Sequence, residues 1–147
     1  MLQSVRHLGP VSRRARLLPT QASLLSVGRA FSADAEASSV LEVRSDEEFT
    51  RELASAGEEG KLTVVDYTAA WCGPCKVIAP VFKQLSQQYP QARFLKIDID
   101  EPKVEKTVTE SNIGSVPTFA FFKKGKELAR VMGADVVSLR NQLQKLA

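Results

Sequence analysis

The spacing of apolar residues changes along this chain, and each change marks an element. In SSVLEVRS, residues 38–45, apolar and polar positions alternate loosely, as in a short first strand. DEEFTRELASA follows with Phe49 and Leu53 four apart and acids in its first turn. This predicts an amphipathic helix capped by Ser45 or Asp46. EEGK makes a turn, and LTVVDYTAA, β-branched and apolar, predicts a strand buried on both faces. Val77, Ile78, Val81, Phe82 and Leu85 then form a helical stripe that runs to about Gln88. Pro74 suits the first turn of that helix, and Pro80 inside it should kink it.

YPQARFLKIDID turns at Tyr89–Pro90 into another strand. EPKVEKTVTESN predicts a helix that starts at Pro102, with Val104 and Val108 on one side. SVPTFAFFKK and ELARVMG are strands at hairpin spacing around KKGK. DVVSLRNQLQKL closes the chain as a helix capped by Asp135, with Val136, Leu139 and Leu143 on one face. The resulting order, β-α-β-α-β-α-β-β-α, predicts an α/β fold. Its βαβ part calls for a parallel sheet, the last hairpin adds antiparallel strands, and helices cover both faces.

Charge divides the chain in two. The first 33 residues hold five arginines and no acid, whereas the rest carries 15 Lys+Arg against 17 Asp+Glu. The overall charge of +3 therefore belongs to the leader, and nothing argues for nucleic-acid binding. An arginine-rich, serine-containing, acid-free leader has the composition of an organellar transit peptide. Its arginines interrupt every apolar run that a secretory signal would need. GRAFSA, with Arg29 before a cut after Phe31, resembles a mitochondrial processing site. Residues 1–33 are thus expected to be removed, leaving a domain of residues 34–147 in the mitochondrial matrix, with the plastid as the alternative. A basic tail that stays attached is the plainer reading. No stretch approaches the roughly 20 apolar residues of a membrane-spanning helix.

The only two cysteines lie in AAWCGPCKVIAP, at positions 72 and 75, and the only histidine, His7, is in the leader. The domain thus lacks any Cys–His or Ser–His pair. A closed zinc site needs four Cys or His ligands, which the domain cannot supply alone. A static disulfide across so short a loop removes little chain entropy, and an organelle matrix is reducing. A dithiol that cycles fits the placement better. Cys72 follows a buried strand and opens a helix, where the helix dipole and free backbone N–H groups stabilise a thiolate. Cys75, one turn on, can reach the Cys72 sulfur and faces inward. Cys72 would attack a disulfide and Cys75 would resolve the mixed disulfide.

WCGPC resembles the signature of the thioredoxins. The likeness runs over residues 39–147: Asp66 before the motif, KIDID, VPT, KKGKE, and Gly133 before the last helix. With its leader the chain looks most like the plant mitochondrial o type. This resemblance implies a thioredoxin fold and a protein-disulfide reductase that needs no bound cofactor. It implies an NADPH-dependent flavoprotein reductase and disulfide-containing proteins as partners; a monomer is expected, although the sequence does not settle the oligomeric state. Gly73 and Pro74 between the cysteines suit a reductant; oxidising relatives often carry histidine there.

The resemblance also assigns expectations to single residues. Asp66 would exchange a proton with Cys75, although it could equally be a core carboxylate paired with a lysine or a backbone group. Lys96 would lie near that acid, or simply be a solvated strand residue. Pro117 would be cis, where base rates predict trans. Val116 would pair its backbone with a substrate chain. Trp71, Gly73, Val116, Gly133 and Ala134 would form an apolar docking surface. Core filling by Trp71 and a left-handed turn at Gly133 are the plainer readings. Thr68 departs from the tryptophan usual in bacterial members. A glutaredoxin-like protein is disfavoured, because VMGAD lacks the paired glycines of that group.

Overall fold

The structure, a computed structural model, describes residues 39–147; the expected transit peptide, residues 1–33, lies outside the described residues. The chain runs through β1 (Val40–Val43), α1 (Asp46–Glu58), β2 (Leu62–Thr68), α2 (Gly73–Gln88) and β3 (Arg93–Asp98). A 3-10 turn (Pro102–Val104) leads into α3 (Glu105–Glu110). β4 (Thr118–Lys123), β5 (Lys126–Met132) and α4 (Val136–Leu146) complete it. The five strands form one sheet in the order β1-β3-β2-β4-β5. β3 pairs parallel with β1 and β2, and β4 pairs antiparallel with β2 and β5. This is the mixed α/β sheet the apolar pattern predicts.

Strand alternation splits the core into two layers. Leu62, Val64, Phe94, Phe119 and Phe121 point to one face and pack with Ile78, Phe82 and Leu85 of α2 and Leu139 and Leu143 of α4. Phe82 meets Phe94 edge-on at 5.2 Å. Val43, Val65, Tyr67, Leu95, Ile97 and Ala120 point to the other face, where Phe49 of α1 and Val108 of α3 cover them. β2 is central and buried on both sides, which explains why its apolar run shows no alternation.

Local chemistry sets the element ends. Ser45 caps α1 by accepting from the Glu48 N–H at 3.2 Å, while Glu48 reaches back to the Arg44 N–H at 2.8 Å. This is a variant of the capping box. Asp135 caps α4 through the Ser138 N–H at 2.9 Å. Lys124 and Gly125, with φ of 50° and 75°, form the two-residue turn of the β4–β5 hairpin. Left-handed geometry at both positions matches the twist of the flanking strands.

Two details depart from the sequence reading. The segment after Pro102 begins as a 3-10 turn before α3 starts. Val77 does not join the buried stripe; it is 75% exposed. Cys75, Ile78, Phe82 and Leu85 define the inward line of α2, and Val77 falls beside it, toward solvent. The helix is continuous from Gly73 to Gln88, with Pro80 on its exposed side.

Candidate active site

The site forms where β2 ends and α2 begins. The backbone turns at Ala69, whose carbonyl accepts from the Cys72 N–H at 3.2 Å. Cys72 occupies the N-cap of α2 in extended geometry, and its Sγ accepts from the Cys75 N–H at 3.2 Å. Sulfur here does what a cap oxygen usually does, satisfying one of the free donors of the first turn. Pro74 falls in that turn, where a missing N–H costs nothing. Cys72 and Cys75 are joined as a disulfide.

In the disulfide form Cys72 and Cys75 are almost equally covered as residues, at 4% and 3% exposure. Ala69, Ile99 and Val116 pack around the pair. What distinguishes the cysteines is therefore their electrostatics. Cys72 alone holds the cap position and receives the helix N–H, which favours negative charge on its sulfur.

Asp66 lies on β2 and points to the same face as Leu62 and Val64, the face packed against α2, which carries Cys75. It is buried, and its Oδ1 has no hydrogen-bond partner. Burial pushes its carboxyl from the ordinary 3.8 up to about 7, against the downward pull of the Lys96 ammonium. Lys96 is the register partner of Asp66 on β3. The reading of Asp66 as a carboxylate satisfied by backbone bonds therefore does not hold for Oδ1. Lys96 stands beside the acid, as a charged neighbour of partly buried strand position.

A third segment closes over the disulfide. The Val116–Pro117 bond is cis, as the resemblance implies. The Val116 carbonyl oxygen lies 3.7 Å from Cys72 Sγ. Gly133 donates its N–H to the Pro117 carbonyl at 2.8 Å, tying the end of β5 to this segment. Gly133 has a φ of 85°, so the left-handed reading of that glycine holds. Gly73 and Ala134 are exposed and Val116 is partly so.

Trp71 is 69% exposed, which removes core filling as its explanation. Its indole Nε1–H donates to Asp100 Oδ2 at 2.8 Å. Asp100 follows β3 in a turn held by its own N–H to Asp98 Oδ1 at 3.0 Å. Neither Asp100 nor Ile99 was picked out from the sequence as a site residue. KIDID carried the signal, since a strand ending in acids beside the motif strand can reach the motif's indole. Thr68 is partly buried, and its carbonyl accepts from the Ile99 N–H at 2.9 Å.

The thioredoxin family model matches residues 40–145. This chain belongs to the thioredoxin family. It is 44% identical over 107 residues to "Thioredoxin O1, mitochondrial" of Arabidopsis thaliana, covering 73% of this chain and 55% of that protein. It is 40% identical over 111 residues to a rice "Thioredoxin H-type", covering 76% of this chain and 89% of that protein. Among solved thioredoxins, that of Nicotiana alata, NaTrxh, superposes with a TM-score of 0.70 at 37% identity, covering 74% of this chain and 93% of the other. Oxidised Arabidopsis thioredoxin O1 superposes with a TM-score of 0.68 at 44% identity, covering 73% and 96%. Thioredoxins are disulfide oxidoreductases, and this one carries its redox group as the Cys72–Cys75 pair.

Proposed function

We propose that this thioredoxin reduces disulfides of other proteins in the mitochondrial matrix and is recharged by an NADPH-dependent thioredoxin reductase. The observation that carries the reading is a disulfide whose first sulfur caps α2, the helix packed on the sheet face to which Asp66 points, a buried carboxyl pushed up to about 7 whose Oδ1 has no hydrogen-bond partner. In the reduced form the Cys72 thiolate attacks one sulfur of the target disulfide, and the other target sulfur leaves as a thiolate that takes up a proton. Asp66 accepts the Cys75 proton. The Cys75 thiolate attacks Cys72 Sγ, and the second target thiolate departs, taking the proton back from Asp66. The target gains two electrons and two protons, and the disulfide of this chain reforms. Asp66 suits this work because a group poised near neutral pH can both take and return a proton. Lys96 tunes it by favouring the ionised form.

Trp71, Gly73, Val116, Gly133 and Ala134 form the apolar shelf on which the target chain lies, with the Val116 backbone available for strand-like pairing. The indole–Asp100 bond fixes the Trp71 side chain next to the cysteine pair. With the reductase, NADPH and insulin, the full chain should turn over insulin disulfides. A protein that binds such substrates without consuming NADPH would be a docking module instead.

For location, the support is the acid-free arginine-rich leader, together with the mitochondrial names of two Arabidopsis relatives. Residues 1–33 act as a transit peptide and the working domain is 34–147. Protein recovered from mitochondria should begin near Ser32 when its N-terminus is read by mass spectrometry. A mature chain still starting at Met1 would overturn this.

A further inference from the structure

We propose that Met132 is an oxidation site, at which a peroxide converts the thioether to a sulfoxide and so weakens the docking of protein substrates. The inference rests on the docking shelf proposed above. Met132 is the last residue of β5 and is 70% exposed. Its neighbour Val131 points into the core, so Met132 contributes nothing to the buried layer on that side. In the sheet it stands opposite Thr118, the residue after Pro117. The next residue, Gly133, bonds to the Pro117 carbonyl at 2.8 Å, and Val116 lies 3.7 Å from Cys72 Sγ. A thioether therefore sits exposed at the rim of the surface around the disulfide.

Composition sharpens the case, since Met132 is the only methionine besides Met1. An unbranched, polarisable side chain adapts to many partner surfaces, which suits a promiscuous docking rim. The same sulfur is open to oxidation. In the step itself, the O–O bond of a hydroperoxide breaks and one oxygen forms the S–O bond of the sulfoxide. The sulfur loses two electrons, and the remainder of the peroxide leaves as water or an alcohol. The disulfide form has no free thiol among the described residues. Oxidation of Met132 then leaves the cysteine pair untouched. The product is polar where the docking surface is apolar, so targets are held less well while the chemistry at Cys72 is unchanged.

The test uses the full chain in its disulfide form, treated with hydrogen peroxide and freed of it before assay. Peptide mapping should show one added oxygen on the Met132 peptide. KM for insulin should rise about fivefold, the scale of losing part of one apolar contact, with kcat unchanged. Turnover of a small aromatic disulfide, which needs no docking shelf, should not change. Met132→Gln should raise KM similarly without peroxide, and the kinetics of Met132→Leu should be the same before and after treatment. A methionine sulfoxide reductase should restore the original KM. No oxygen on Met132, or a sulfoxide form with unaltered KM, would overturn the inference. Untreated protein that cannot reduce insulin at all would overturn the functional reading and this inference with it.

Discussion

Replacing Cys72 with serine should lower insulin turnover by about 10⁴-fold or more, the scale seen when a covalent nucleophile is removed. A serine hydroxyl stays protonated at neutral pH and cannot form a mixed disulfide. Cys75→Ser should also stop turnover, but for a different reason and with a different product. Its Cys72 still attacks, so targets should accumulate covalently attached and appear as adducts on non-reducing gels. The prediction follows from the cap geometry. Cys72 Sγ already accepts the Cys75 N–H at 3.2 Å in the disulfide form, and an anionic sulfur would strengthen that bond. Cys75 lies within the helix's first turn and has no equivalent donor in the structure described. Its exposure is the same as that of Cys72, so access alone would not separate them. In the reduced protein, iodoacetamide at pH 7 should therefore modify Cys72 first. Adducts forming on Cys72→Ser but not on Cys75→Ser would reverse the two roles.

The parts of this fold that could be read from sequence are those in which burial repeats with a period. The continuous apolar run of β2 and the four-residue spacing in α1, α2 and α4 each report a face in contact with the core. Val77 misleads because it only flanks the apolar stripe: the buried line of α2 is Cys75, Ile78, Phe82 and Leu85, and Val77 faces solvent beside it. The place of the site follows from the topology. β2 and β3 are parallel, and their carboxyl ends both open onto the α2 N-terminus. Ala69 through Cys72 and Ile99 through Asp100 thus meet without any local sequence signal linking them. The indole–carboxylate contact of Trp71 and Asp100 spans 29 residues and has no period to reveal it. The near-equal burial of Cys72 and Cys75 in the disulfide form was hidden for a similar reason, since Ile99 and Val116 pack around them from distant loops. The cis bond before Pro117 came from resemblance alone; base rates point the other way.

Asp66→Asn should make the protein more stable at alkaline pH and slower in turnover, and the first effect has a sign that pH exposes. In the unfolded chain the carboxyl titrates near its ordinary 3.8, whereas burial in the fold moves it up to about 7. Below the lower value both states hold the proton, and Asp66 adds no pH dependence. Between the two values the unfolded chain has released its proton while the native state retains it. The native state then binds more protons, so stability falls as pH rises. Each pH unit in this window costs about 1.4 kcal/mol, and the loss levels off above pH 7 at on the order of 4 kcal/mol. Asparagine keeps the shape and has no charge to bury. Urea unfolding of the disulfide form should show near equality at pH 4 and a clear advantage for Asp66→Asn at pH 8. The kinetic effect belongs to the resolving step, where the Cys75 proton has lost its acceptor. Turnover should fall about tenfold or more, and mixed disulfides should persist longer. In the unaltered protein the resolving rate should rise with pH through about 7, as the carboxylate forms, and in the variant that rise should vanish. A variant no more stable at pH 8 than the parent would mean that Asp66 finds a partner in solution. An unchanged resolving rate would mean that Cys75 loses its proton to water.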